Sequence, residues 1–220
     1  MKIRFFICMV FVLPFIGFAA AEKKPVVEKL TVPAARSSDG QEFVYTRTLK
    51  ERVRNHVIYS VMYPSPVKSY MPENNTVPAE LYVPAGLKPD SKVPAVVCMH
   101  ILNGDFALCR MMCSRLSEAG VVAMFFMQPY YGARGGSVGR KALLKSYDVL
   151  ISGFKQSTAD AKRAFDVIQS QSGVDPDKCG VSGISLGAIR AGALCAHDTR
   201  IKRAYLSRCR RPEESNPVSS

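Results

Sequence analysis

Gly183-Ile184-Ser185-Leu186-Gly187 is the stretch that most limits what this chain can become. In front of it, residues 178–182 are short, partly apolar and bounded by Asp177, which reads as a buried strand. Behind it, residues 186–196 are rich in Ala and Leu and free of Pro, which reads as a helix. A serine at such a junction is held in a strained turn, and the flanking glycines let strand and helix pass close together. Its hydroxyl then stands above the sheet edge at the positive end of the helix dipole, where an oxyanion is stabilised. Ser185 is therefore the candidate nucleophile. The competing reading is an idle serine in a glycine-rich turn.

The rest of the chain alternates strand and helix around that turn. Residues 46–63 mix apolar and polar side chains in near alternation and predict a strand, and residues 77–83 predict a second one antiparallel to it. Residues 95–99 form a continuous apolar run, expected of a strand buried on both faces. A helix capped by Asp105 follows and stops at Gly120, and the next buried strand covers 121–127. After a glycine-rich loop, helical spacing runs from Leu143 to Phe154, and Ser157 is expected to cap a separate helix ending at Gly173. A last strand runs from Ile201 to Leu206. This order predicts a doubly wound, mostly parallel α/β sheet with an N-terminal antiparallel hairpin and sites at the strands' carboxyl ends.

The ends of the chain carry a different kind of information. Lys2 and Arg4 precede an apolar run from Phe5 to Phe18, and Ala19-Ala20-Ala21 fits a signal-peptidase site, so residues 1–21 read as a signal peptide and the protein as exported, periplasmic or extracellular. The apolar run is short for a bilayer span, so no stable membrane span is expected after cleavage. Residues 22–45 are polar, carry prolines, and read mostly as a flexible leader; 46–206 form the domain and 207–220 an irregular tail. The formal charge is +12, with a late cluster of Arg200, Lys202, Arg203, Arg208, Arg210 and Arg211. Weak binding to anionic envelope polymers through that cluster, by a non-catalytic protein, is the alternative function. No nucleic-acid motif accompanies it. The cysteines lack metal-ligand spacing, and the six beyond the signal segment, Cys98, Cys109, Cys113, Cys179, Cys195 and Cys209, read as buried thiols rather than disulfides. Asn74-Asn75-Thr76 is formally a glycosylation sequon.

Four pieces then combine: His100 after the apolar strand, Pro129-Tyr130-Tyr131-Gly132-x-Arg134 after the next, the helical run from Asp160 to Phe165, and the Gly183–Gly187 turn. From about Val53 to Leu206 the chain resembles the α/β-hydrolases, closest to the dienelactone-hydrolase and acetyl-xylan-esterase-like group. The resemblance implies hydrolysis of a small ester or acyl substrate without a cofactor or metal. It implies that the backbone N–H groups of Leu186 and Leu102 form the oxyanion hole, although Ile101 stands where many relatives have Gly. It also implies that Tyr130, Tyr131 and Arg134 line the pocket mouth, with loop packing as their other reading.

A serine nucleophile needs a base within about 3 Å. In this family an acid and then a histidine follow the serine in sequence. After Ser185 the chain holds one histidine, His197, twelve residues on and about 18 Å along a helix. Asp198 is equally remote, and no histidine follows Glu213 or Glu214. His100 is the one surrogate base to consider; its other reading is a hydrogen-bonder that shapes the oxyanion loop. His56 has no claim. The expectation is an esterase-like chain whose activity is impaired, truncated after the strand from Ile201 to Leu206 by a broken or cut reading frame. A naturally short hydrolase with a disordered tail is the alternative.

Overall fold

The computed structural model describes residues 25–102, 106–136 and 138–207. Eight strands form one sheet: β1 (Val27–Val32), β2 (Phe43–Arg52), β3 (His56–Pro64), β4 (Thr76–Pro84), β5 (Val93–Met99), β6 (Val122–Phe126), β7 (Val174–Ile184) and β8 (Arg203–Ser207). Their order is β1-β2-β3-β4-β6-β5-β7-β8. Strands β1 to β4 pair antiparallel in succession, and β4 joins β6 antiparallel. The β6-β5-β7-β8 half is parallel. Among the described residues there are three α-helices: α1 (Ala107–Glu118), α2 (Tyr147–Gln169) and α3 (Leu186–Cys195).

Why the central strands are apolar throughout follows from what covers them. Val122, Met124 and Phe126 of β6, with Val97 and Met99 of β5, pack beneath Ala161, Ala164 and Phe165 of α2 and Leu194 of α3. Their alternates Ala123, Phe125 and Cys98 face Cys109 and Cys113 of α1 on the other side. Both faces are covered, so the period-2 alternation of a half-exposed strand vanishes. Strand β3 switches faces along its length, burying His56 and Ile58 on the α1 side and Val61 and Tyr63 on the other.

The structure departs from the sequence reading at three places. The flexible leader expected over residues 22–45 contains β1, paired along its whole length with β2. The single strand expected over 46–63 is a hairpin, β2 and β3, closed by Val53 N–H donating to the His56 carbonyl. The antiparallel part is thus a four-stranded wing rather than one hairpin. Ser157 caps nothing: it lies inside α2, whose N-cap is Ser146, its hydroxyl accepting from Val149 N–H. The five described cysteines are free thiols. Asn74 is fully buried, which closes the sequon to modification of the folded protein. The signal peptide, Asp105, Ser137 and the tail beyond residue 207 lie outside the described residues.

Candidate active site

Ser185 joins β7 to α3 with φ 54° and ψ −119°, left-handed backbone that only three non-glycine residues of the described chain adopt. Two glycines make this possible. A Cβ on Gly183 would come 2.3 Å from the Gly187 carbonyl oxygen, and one on Gly187 would come 2.2 Å from the carbonyl oxygen of Met99. The helix start therefore sits directly against both its own strand and the end of β5. Ser185 N–H donates to the Ser207 carbonyl at 2.9 Å, and the Ser185 carbonyl accepts from Ala188 and Ile189. Held this way, the side chain stays half-exposed at the carboxyl edge of the parallel strands. The Leu186 amide is the first of α3 and has no intrahelical acceptor, as an oxyanion donor requires.

His100 follows β5 and is 1% exposed. Its Nε2 accepts from the backbone N–H of Gln128 at 3.1 Å, so Nδ1 carries the proton and donates to the Ile101 carbonyl at 2.8 Å. Both ring nitrogens are committed to backbone. Burial pushes its pKa down to about 4. The ring packs edge-on against Phe106 and Tyr131. This places His100 as a brace between the loops after β5 and β6, and the surrogate-base role fails for want of a free nitrogen.

The chain's other two histidines stand elsewhere. His56 lies on β3, 3.4 Å from the Ser114 hydroxyl, and His197 is exposed beyond the far end of α3. Asp198 is paired with Arg200 at 2.6 Å. Arg200 also holds Asp166 at 2.5 Å, which removes one cation from the late basic cluster. No histidine of the chain is offered to Ser185.

Of the residues expected at the pocket mouth, Arg134 is fully buried and ion-paired with Asp160 at 2.8 Å. It donates to the carbonyls of Met127 and Asn74 as well. That makes it a pillar of the loop after β6 and corrects its expected contact with substrate. Tyr130 and Tyr131 are also buried, packed with Ala142 and Leu143; Tyr131 lies against His100 and its hydroxyl has no partner. Leu102 is 57% exposed beside residues 103–105, which lie outside the described set, so its oxyanion role stays an expectation from resemblance.

Sequence reasoning missed Gln128 and Arg190. Gln128 donates from Nε2 to the His100 carbonyl, while its Oε1 accepts from Ser157 and from Arg190 Nη1. Arg190, one turn into α3, is 3% exposed and stacks over Phe154 at 4.2 Å. Burial lowers its pKa to about 10. Together they tie the elbow helix to both neighbouring loops. The single available signal was a charged residue interrupting the apolar helix after Ser185. Among the described residues no cluster of three His, Cys, Asp or Glu side chains is arranged to hold a metal.

His100 makes stability depend on pH. Its folded pKa, about 4, lies below the ordinary 6.5, so between those values the unfolded chain binds more protons. Stability is then full above the upper value and falls as pH drops through the window, by about 3 kcal/mol at most from this residue. Denaturant unfolding across that range should show the decline, and His100→Gln should flatten it.

An eight-stranded sheet with a parallel half, helices on both faces and a strained serine between β7 and α3 defines the α/β-hydrolase fold, and this chain has it. No protein-family model matches the chain, and no curated protein does. Solved structures do. It is similar to an acetyl xylan esterase from Paenibacillus sp. R4, with 20% identity and a TM-score of 0.57 over 78% of this chain and 55% of that one. A hypothetical protein from Pseudomonas aeruginosa matches with 22% identity and a TM-score of 0.55, over 70% of this chain and 43% of that one. A cold-adapted esterase from an Arctic intertidal metagenomic library matches with 21% identity and a TM-score of 0.51, over 71% and 62%. The chain thus spans roughly half of each of these longer proteins. Among the described residues no helix is long and apolar enough to cross a membrane.

Proposed function

We propose that this chain carries the nucleophile and oxyanion machinery of an exported hydrolase for small carboxylic esters, and that by itself it turns esters over slowly. The observation that carries the reading is Ser185 at φ 54°, ψ −119°. Strain of about 1–3 kcal/mol in a non-glycine residue is kept where the surrounding structure enforces it, and such residues cluster at working sites. The esterase neighbours support the substrate class, and the Lys2–Ala21 segment supports export. In the reaction, Ser185 Oγ would attack the ester carbonyl, the carbonyl carbon–oxygen π pair would move onto oxygen, and the Leu186 N–H would hold that oxyanion. The proton leaving Oγ has no imidazole to receive it, so water takes it and the barrier stays high. Removing the base from a complete triad costs as much as removing the serine.

Two measurements test this. Turnover of p-nitrophenyl acetate by the wild type should stay within about tenfold of Ser185→Ala; a large serine-dependent rate would show that a base exists. Prolonged exposure to a fluorophosphonate at alkaline pH should modify Ser185 and spare other serines, as mapped by peptide mass. Labelling that ignores Ser185 sinks the nucleophile assignment.

A further inference from the structure

At the same end of the sheet as Ser185, the segment joining the loop after β6 to α2 combines exposed apolar side chains with cations. Leu144 is 83% exposed and Tyr147 is 75% exposed. Their neighbours Ala142 and Leu143 are buried against Tyr130 and Tyr131. The segment is anchored on one side and presents the other outward. On that outward side Arg140, Lys141 and Lys145 are all exposed. Residues 139–144 form a 3-10 turn, in which side chains three apart eclipse, so Lys141 stands in line with Leu144. The acids close by are Asp148, in the first turn of α2, and Glu73, whose carboxylate lies against Gly136. Three cations on the segment outweigh them. Arg140 also donates to the Leu102 carbonyl at 3.2 Å, which joins the exposed Leu102 to the same surface.

Exposed leucines standing singly are ordinary on a monomer. An apolar pair flanked by lysines is a more specific pattern. The buried centre of a protein interface is depleted in lysine. A phospholipid surface accepts both features at once: ammonium groups stay at the level of the phosphates while leucine and tyrosine enter the acyl boundary. We infer that residues 138–147 form a peripheral contact for anionic phospholipid, holding the Ser185 end of the sheet against a membrane surface. The contact does not depend on Ser185 turning over substrate.

Flotation of the processed chain, from residue 22 onward, with phosphatidylglycerol vesicles and with phosphatidylcholine vesicles tests it. Each lysine or arginine near an anionic surface contributes enough that the three here should favour phosphatidylglycerol by about a hundredfold, a preference that fades with salt. Leu144→Ser combined with Tyr147→Ser should weaken binding by at least about tenfold, and Lys141→Glu with Lys145→Glu should abolish the lipid preference. These side chains are exposed, so both double variants should melt with the wild type. The rival cations are those of the late cluster, and Lys202→Glu with Arg203→Glu, like Arg210→Glu with Arg211→Glu in the tail, should leave binding unchanged. Four results would overturn the inference: no vesicle binding, equal binding to both lipids, loss of binding with a late-cluster variant instead of the segment variants, or a dimer that covers Leu144 in place of lipid.

Discussion

Gly187→Ala should cost about 3 kcal/mol or more and strip Ser185 of its perch. The added Cβ would lie 2.2 Å from the Met99 carbonyl oxygen, 2.9 Å from its carbon and 3.0 Å from the His100 carbonyl oxygen. All three are backbone atoms at the end of the central strand β5, so no rotamer change relieves the clash. Either α3 lifts off the sheet or β5 bends, and both moves displace the Leu186 amide. The control lies five residues on in the same helix. A Cβ on Gly192 meets nothing nearer than Leu206 Cδ1 at 3.7 Å, an ordinary contact. Gly192→Ala should therefore stabilise the protein by up to about 1 kcal/mol through helix propensity. Urea unfolding of the two variants beside the wild type should give opposite signs. Equal effects would mean that the close approach of helix to β5 does not govern the turn.

That contrast also marks what the sequence made legible. Gly183, Ser185 and Gly187 announce their geometry because no other residue types satisfy a strand and helix crossing at contact distance. Strands β5 and β6 were legible for a related reason: burial on both faces leaves only apolar residues. The hairpin of β2 and β3 was not, because Val53 and Val57 stay in phase on either side of Arg54-Asn55-His56 and no glycine or proline marks the turn. Strand β1 was hidden because Val27, Leu30 and Val32 do not alternate and Pro25 and Pro33 flank the segment; as an edge strand it draws much of its order from backbone pairing with β2. The two expected helices are one because Ser157, a good cap in isolation, hydrogen-bonds Gln128 across the core instead. At the site, the remoteness of His197 from Ser185 was readable from spacing alone. The fate of His100 was not: its two backbone partners, Gln128 and Ile101, are set by how two loops meet. For Arg134 the sequence leaves pocket lining and loop packing both open until its buried partner is known.

The partner is Asp160, and Asp160→Asn should lower stability by about 3–5 kcal/mol, a large share of what holds a domain this size together. Both members of the pair are fully buried, 2.8 Å apart. Burial drives the Asp160 carboxyl above its usual range while Arg134 pulls it back down, so the ionised pair survives only because each charge answers the other. Asparagine leaves the guanidinium in place beneath the loop after β6, with the carbonyls of Met127 and Asn74 as partners and no neutralising charge. The melting temperature should drop by about 10 °C or more. Replacing both residues, Arg134→Met with Asp160→Leu, should recover much of the loss, because the desolvation cost of two ions disappears along with their attraction. A double variant as unstable as Asp160→Asn would mean that Arg134 stabilises the loop through its carbonyl bonds, and that the ion pair itself contributes little.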